Sequence, residues 1–348
     1  MSKQTDPYIL RRVVAVGFFV AGVVLACVSY FLLTSSETQT GTHRYNSIST
    51  YAIDSLSNDF DDKLNSVLTL AKAVQYGISN SSAWPNVYLP GFFDTIASQR
   101  DATRLNDMFL APLVSPDELP TYKQFLRDYI AMEPSIPETA GFPALGVYGV
   151  NFNSEGLVYE EFSGETQGYY SPNSYITPMT QFLFDRDFGP RNFGFNMHSV
   201  PQYGHSIDAI VECSGRRNYS EAIRVCANIT TVIPLPFGAP DPEIMNFDSK
   251  LIQPVFLNFN SSQLVGFVGG GFDWRTVLSS LFETSRNNID VVLQNGEMEF
   301  TFTTSNKGLV IKGHGDLHER DYNHQRHATT LFTSTDGSSN TATYKISI

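Results

Sequence analysis

The sequence predicts an α+β protein that has an N-terminal transmembrane helix, a long stalk helix and two antiparallel sheets with helices. Three observations predict this architecture. Residues 13–33 carry no charge, and residues 45–76 contain neither proline nor glycine and repeat their apolar residues at helical spacing. Beyond residue 134 the chain consists of short aromatic-rich runs separated by glycine, proline and asparagine, which is typical of strands and turns.

The first element is a transmembrane signal-anchor helix over residues 13–33. Twenty-one residues at 1.5 Å each cover about 31 Å, the thickness of the hydrocarbon core of a bilayer. A cleaved signal peptide is the alternative, but its apolar core is normally only about 7–15 residues long. Arg11 and Arg12 precede the span, so the positive-inside rule assigns residues 1–12 to the cytoplasm and everything after residue 34 to the extracellular or lumenal side.

The charge distribution excludes one class of partner. The whole chain carries −12 and residues 1–12 carry +2, so the remaining residues carry −14. This acidic surface repels phosphate backbones and argues against nucleic-acid binding. The partner that the sequence does identify directly is the lipid bilayer, because residues 13–33 form an apolar span.

Two features agree with a non-cytosolic location for the outer domain. Cys213 and Cys226 are the two cysteines outside the span, and we expect them to form a disulfide, with two unrelated buried thiols as the alternative. N-glycosylation sequons are a second feature, although each is weak by itself. They begin at Asn80, Asn218, Asn228 and Asn260.

The stalk helix is predicted over residues 43–77. Its apolar stripe must face either the domain that follows or the same helix of a second chain, and the second possibility predicts a homodimer through the stalk helix. The stripe contains Ile48, Ala52, Leu56, Phe60, Leu64, Val67, Ala71 and Val74.

Two subdomains are expected after the stalk, a distal one over residues 78–240 and a membrane-proximal one over residues 241–348. The last segment alternates like a strand up to Ile348 without a second apolar span, so the second subdomain is expected to be truncated at its C-terminus.

Candidate ligand-binding residues lie on the predicted distal sheet and near it. Aromatic and polar side chains there could line an apolar cavity with a few hydrogen-bonding groups, or they could be ordinary core and rim residues. These residues are Tyr148, Phe152, Tyr175, Asn196 and Asp208.

Two other patterns suggest chemistry only weakly. His314, His318, His324 and His327 lie among acidic residues, which is compatible with a zinc site or a pH-responsive loop but more typical of a solvated polar loop. Glycines 269–271 lack the remainder of a phosphate-loop motif, so they favour close backbone approach or space for a ligand instead. No recognisable nucleophile motif or cofactor motif is present, and we expect neither catalysis, nor a cofactor, nor a resident metal.

Several segments resemble extracellular CHASE-type sensor domains, and most closely the outer region of membrane-bound nucleotide cyclases of diatoms and other algae. In the first half these segments are Phe109–Val114 with Glu118, Tyr122 and Phe125, then Tyr169–Pro172, Ile176–Pro178 and Asn192-Phe193. In the second half they are Pro254–Phe256, Val265-Gly266, Phe272–Trp274, Asn288–Asn295, Phe300–Phe302 and Gly315–His318 with Tyr322.

The resemblance implies two PAS-like subdomains on a stalk, with a small-molecule ligand bound by the distal one. It therefore implies the ligand-sensing module of a receptor of the nucleotide cyclase or histidine kinase type, without its catalytic domain in this chain. A single-pass surface glycoprotein that binds a protein partner is the alternative. An ectoenzyme is a third hypothesis, and it depends on the histidine cluster alone.

Overall fold

The computed structural model describes twelve segments of the chain, which form a mixed fold of helices and antiparallel sheets. The described residues are 7–78, 84–132, 147–153, 156–161, 175–177, 194–235, 246–282, 289–296, 298–305, 308–318, 326–333 and 343–348. This composition agrees with the predicted α+β class.

The longest element is one continuous helix, α1 (Pro7–Ile78). At 1.5 Å per residue its 72 residues extend over about 108 Å. The sequence predicts a membrane span and a stalk as two helices, but the residues between them are also helical, and the single Gly41 among them does not break the helix. Phe18 and Leu25 in the apolar part are 76% and 72% exposed. In the described part of the chain, α1 is the one helix long and apolar enough to cross a membrane.

The first sheet is antiparallel and has the strand order β4-β1-β8-β7-β5, with β6 also paired to β7. Its strands are β1 (Asp107–Pro112), β4 (Tyr175–Thr177), β5 (Asn228–Ile229), β6 (Ile233–Leu235), β7 (Asn246–Phe256) and β8 (Leu264–Asp273). The shorter helices are α2 (Phe92–Thr103), α3 (Leu119–Met132), α4 (Pro201–Gly215), α5 (Tyr219–Val225) and α6 (Trp274–Leu281).

The second sheet has the order β11-β10-β9-β13-β12 and is also antiparallel. Its strands are β9 (Asp290–Asn295), β10 (Met298–Ser305), β11 (Gly308–His314), β12 (Ala328–Thr333) and β13 (Thr343–Ser347). A separate hairpin consists of β2 (Tyr148–Asn153) and β3 (Gly156–Glu161).

The boundary between the two sheets differs from the one predicted at residue 241. Strands β7 and β8 lie in the middle of the first sheet, because β8 pairs with β1 on one side and with β7 on the other. The chain passes to the second sheet only after α6. The apolar run over residues 252–259 predicts a strand that begins at Ile252, but β7 already begins at Asn246.

The stalk, residues 43–78 of α1, packs against both sheets of its own chain. Near its start the Tyr45 ring lies 6.2 Å from the His327 ring, next to β12 of the second sheet. Near its end the Tyr76 ring lies 5.0 Å from the Phe259 ring, in the turn that follows β7. The second sheet therefore lies against the part of the stalk closer to the apolar span.

The predicted apolar stripe of the stalk forms its buried face. Phe60 is 2% exposed, and its ring centroid lies 5.7 Å from that of Phe272 and 6.1 Å from that of Trp274. Leu56 is completely buried, whereas Ile48 and Leu64 are partly buried. The prediction of a homodimer through this stripe loses its basis, because the stripe is covered by the sheets of its own chain.

One buried cation also attaches the stalk to α2. Lys63 is 1% exposed, and its Nζ donates to both carboxylate oxygens of Asp59 at 2.8 Å and to the carbonyl of Thr103 at 2.9 Å. Thr103 is the last residue of α2, where the helix dipole favours a positive charge.

The predicted disulfide is present between Cys213 and Cys226 and joins the end of α4 to the end of α5. The sequons differ in accessibility. Asn218 and Asn260 are exposed and remain predicted glycosylation sites, while Asn80 lies outside the described residues. Asn228 is 3% exposed in the first sheet, so its side chain is not accessible for a glycan in this fold, and the prediction is corrected there.

We predict that Phe60→Ala lowers the free energy of unfolding by about 3–5 kcal/mol, because it opens a cavity beside Phe272 and Trp274. Tyr51→Ala on the same helix is the matched control, since Tyr51 is 69% exposed. Denaturant unfolding of the full chain in nanodiscs measures both variants. Equal losses in the two variants would contradict packing of the stripe against its own sheets.

Candidate functional site

The candidate site lies on the face of the first sheet that is opposite to the stalk. Alternate residues of a strand point to opposite faces, so Asp248, Lys250 and Ile252 of β7 share one face. Ile252 packs there in a small apolar core with Tyr203 and Ile207 of α4. Helix α4 therefore covers this face, and it also packs against a short 3₁₀ turn, Met197–Ser199.

Three adjacent strands place two opposite charges in one row across the sheet. Gly271 of β8 pairs with Asp107 of β1 on one side and with Lys250 of β7 on the other. The Lys250 ammonium donates to a carboxylate oxygen of Asp107 above this glycine, and the Gly271 amide donates to the other oxygen at 2.9 Å. A Cβ at residue 271 would come within 2.3 Å of the Lys250 Nζ. Glycine is thus required for the bridge.

Gly269 and Gly270 also allow neighbouring groups to approach the backbone of β8 closely. A Cβ on Gly269 would lie 2.4 Å from the Phe109 ring and 2.3 Å from the Leu251 carbonyl oxygen, and one on Gly270 would lie 2.6 Å from Leu105. The sequence predicts either close backbone approach or space for a ligand at residues 269–271, and the structure shows close approach.

A second carboxylate and a hydroxyl complete the charged cluster, which we define as Asp107, Asp248, Lys250 and Tyr203. Asp248 Oδ2 lies 3.2 Å from the Lys250 Nζ. Tyr203 of α4 is buried on the same face, beside the Asp248 side chain. The side chains of Asp107, Asp248 and Lys250 are only 9%, 7% and 13% exposed.

A third carboxylate stands next to the cluster. Asp273 is the cross-strand partner of Asp248, but it accepts hydrogen bonds from the backbone amides of Thr276 and Phe247 at 2.8 and 2.7 Å. Through Thr276 it caps the N-terminus of α6, where the helix dipole stabilises a negative charge. The negative charge of Asp273 is therefore stabilised by these amides and by the N-terminus of α6, without Lys250.

Burial and mutual repulsion set the protonation of the cluster. Burial raises the pKa of Asp248, Lys250 opposes this shift, and the carboxylates of Asp107 and Asp273 add to it. Burial also disfavours the charged form of Lys250, but Asp107 and Asp248 outweigh that effect and raise its pKa. Burial likewise raises the pKa of Tyr203. The cluster thus combines a persistent cation with one carboxylate that is costly to ionise.

The elements that carry three of the predicted pocket residues lie beside α4 and at the edge of the first sheet. Strand β2, with Tyr148 and Phe152, contacts the 3₁₀ turn beside α4, and β4, with Tyr175, pairs with β1. The side chains of these three residues lie outside the described part of the structure. Their role in a pocket remains a prediction.

The other two predicted pocket residues have local structural contacts. Asn196 is fully buried, and its side-chain oxygen accepts the amide of His198 at 3.2 Å, which caps the 3₁₀ turn. Asp208 on α4 is exposed and lies 2.9 Å from the Nε2 atom of His198. Neither of these contacts involves the charged cluster.

The described histidines of the C-terminal group have separate neighbours. The His314 ring contacts Phe300, His318 pairs with Asp316, and His327 bonds to Asn46 at 3.1 Å. His324 lies outside the described residues. Among those that are described, no three His, Cys, Asp or Glu side chains are arranged to hold a metal ion.

Comparison with known proteins gives distant structural matches. No protein-family model and no curated protein sequence matches the chain. The periplasmic sensory domain of the Campylobacter jejuni chemoreceptor Tlp1 is similar at 11% identity and a TM-score of 0.46, over 89% of this chain and 94% of that one. A protein described as methyl-accepting chemotaxis protein X is similar at 9% identity and a TM-score of 0.37, over 89% and 99%. Neither match assigns a role to a residue of this chain.

We predict that Gly271→Ala lowers the free energy of unfolding by about 1–3 kcal/mol, because the new methyl group separates Lys250 from Asp107. Gly215→Ala is the matched control, since nothing lies within 4 Å of a Cβ at that position. Thermal unfolding compares the two variants. A Gly271→Ala protein as stable as the Gly215→Ala protein would contradict the tight bridge.

We predict that the stability of the Asp248→Asn protein, relative to that of the wild type, increases as the pH rises from 5 to 8. A raised pKa in the folded state means that folded Asp248 holds its proton to a higher pH than the unfolded chain, so ionisation destabilises the wild type over this range. Asparagine does not ionise and removes this contribution. Melting temperatures of both proteins at several pH values measure the difference, and a constant or opposite trend would contradict the raised pKa.

Proposed function

We propose that the chain is the extracytoplasmic ligand-sensing module of a membrane receptor of the nucleotide cyclase or histidine kinase type. Residues 13–33 anchor it as a single-pass membrane protein, and the two sheets lie on the extracellular or lumenal side. The resemblance of several segments to CHASE-type domains supports the assignment to this receptor type. The sensing module itself performs no catalysis in this proposal.

The observation that carries this proposal is the continuity of α1. The same helix contains the apolar span and the stalk, and the stalk contacts both sheets. A change in how the first sheet packs would therefore act on a rigid element that leads directly to the membrane. Ligands act on such systems by favouring one of two packing arrangements.

The charged cluster is the proposed ligand site in the distal part of the molecule. Two carboxylates, Asp107 and Asp248, share the single cation Lys250, while Asp273 is compensated by the N-terminus of α6. A small molecule that carries a positively charged nitrogen would supply the missing charge. Such a ligand would favour ionised Asp248, since an opposite charge nearby stabilises the charged form.

The proposal predicts that the full chain in nanodiscs is stabilised by a small cationic metabolite. A panel of primary amines and amino acids, their matched carboxylic acids and uncharged analogues is tested by thermal shift. A ligand at about 100 times its dissociation constant adds about 2.7 kcal/mol to the stability. Asp248→Asn and Asp107→Asn should abolish this stabilisation, whereas Asp101→Asn, which changes an exposed carboxylate, should preserve it.

Two outcomes would contradict the proposal. A stabilising ligand that acts equally on the wild type and on the two cluster variants would place the site elsewhere. A panel without any stabilising compound would favour the alternative of a surface glycoprotein that binds a protein partner.

A further inference from the structure

A buried hydrogen-bond network connects the two sheets directly behind the charged cluster. Its members are Trp274 of α6, Ser249 of β7, Tyr344 of β13 and Thr230 between β5 and β6, and all four are completely buried. The Tyr344 hydroxyl lies 2.7 Å from the Thr230 carbonyl and 2.9 Å from the Ser249 hydroxyl. The Trp274 indole N–H donates to the Ser249 Oγ at 3.0 Å.

The direction of every hydrogen bond in this Tyr344 network follows from the available protons. A carbonyl can only accept, so the single hydroxyl proton of Tyr344 goes to Thr230. Ser249 must then donate to Tyr344, and it accepts from Trp274. One unbranched chain of donors thus runs from α6 through β7 to the second sheet, and each hydroxyl in it both donates once and accepts once.

The network is attached to the charged cluster through the backbone of β7. Ser249 and Lys250 are neighbours that point to opposite faces of the first sheet. Thr230 also holds the Lys250 backbone on both sides, since its amide donates to the Lys250 carbonyl and its hydroxyl accepts from the Lys250 amide, each at 2.9 Å. One peptide unit therefore separates the charged side chains from the contact with the second sheet.

A second observation shows that this contact is not fully satisfied. Asn295 of β9 is the direct cross-strand neighbour of Tyr344 and is 2% exposed. Among the residues that the structure describes, neither its amide oxygen nor its amide nitrogen has a hydrogen-bond partner. Buried polar groups are normally paired, so an unpaired amide beside the network favours a rearrangement that would give it partners.

We propose that Tyr344 is the positioning residue that couples the charge of the cluster to the packing of the second sheet, and that Asn295 keeps this contact able to rearrange. This inference rests on the proposed function for the direction in which the signal travels. It adds the physical connection between the site and the membrane-proximal sheet.

The test uses a charge change rather than a ligand, so a failure to find a ligand does not affect it. At pH 8, above the raised pKa of Asp248, Asp248→Asn removes one negative charge from the cluster in the full chain in nanodiscs. Hydrogen exchange followed by mass spectrometry reports the protection of β9 and β13. We expect a change of about threefold or more in their exchange rates, because protection depends on the local opening equilibrium.

The same charge change is then made in the Tyr344→Phe background, which keeps the ring and removes the hydroxyl. We expect β9 and β13 no longer to respond to Asp248→Asn. Tyr45→Phe is the matched control, since it removes another tyrosine hydroxyl, one whose ring lies beside His327 next to the second sheet, and should leave the response intact. A response that persists in Tyr344→Phe, or that is absent in the wild type, would overturn the proposal.

A second variant keeps the test decisive if Tyr344→Phe folds poorly. Asn295→Leu replaces the unpaired amide with an apolar group of similar volume. We expect a higher melting temperature and a smaller response of β13 to Asp248→Asn. A lower melting temperature, or an unchanged response, would contradict the role assigned to Asn295.

Discussion

The alternation of side chains along β7 is the constraint on which the rest of the structure depends. On one face of this strand, Asp248 and Lys250 form the charged cluster under α4. On the other face, the Phe247 ring lies 5.0 Å from Phe300 of the second sheet, and Ser249 bonds to Tyr344. A strand cannot shift by one residue without exchanging these two sets, so the register of β7 fixes the candidate site and the contact between the sheets together.

The arrangement gives each face of the first sheet a separate task. The face toward α1 and the second sheet is mostly apolar. Phe272 and Trp274 pack there on Phe60 of the stalk, and Phe247 packs on Phe300 of the second sheet. The opposite face holds charges that are almost completely removed from solvent. Burying such charges is costly unless they are paired, and a group with more carboxylates than cations is incompletely paired. A change in the charge of the cluster is therefore expected to alter how the first sheet packs on the stalk and on the second sheet.

Much of the framework could be predicted because it depends on local periodicity. The apolar stripe through Phe60 predicts the stalk helix and its buried face. Cys213 and Cys226 are the two cysteines outside the span, and their number predicts the disulfide. The apolar runs 264–272, 290–293 and 299–303 are flanked by turn residues and predict strands close to where β8, β9 and β10 occur. These signals are properties of ten to thirty consecutive residues and need no knowledge of distant partners.

The candidate site could not be predicted, because its residues are joined by pairing between distant segments. Asp248 and Lys250 precede the apolar run, so the sequence pattern places the start of β7 only at Ile252. Asp107 lies more than 140 residues earlier and meets Lys250 only through the registers of β1 and β8. One sequence signal could have found the site. Asp248 and Lys250 are two residues apart, so in a strand they share one face, and Gly271 of the strand between Lys250 and Asp107 leaves room for their ion pair.

Native-state hydrogen exchange of the full chain in nanodiscs tests the central claim most directly, namely that β7 makes the two sheets one cooperative unit. The account predicts that amides of β7, β9 and β13 exchange only through a common opening, with the same free energy and the same denaturant dependence. Exchange of β9 and β13 through a separate opening of lower free energy, while β7 remains protected, would show that the sheets are independent and would contradict the account.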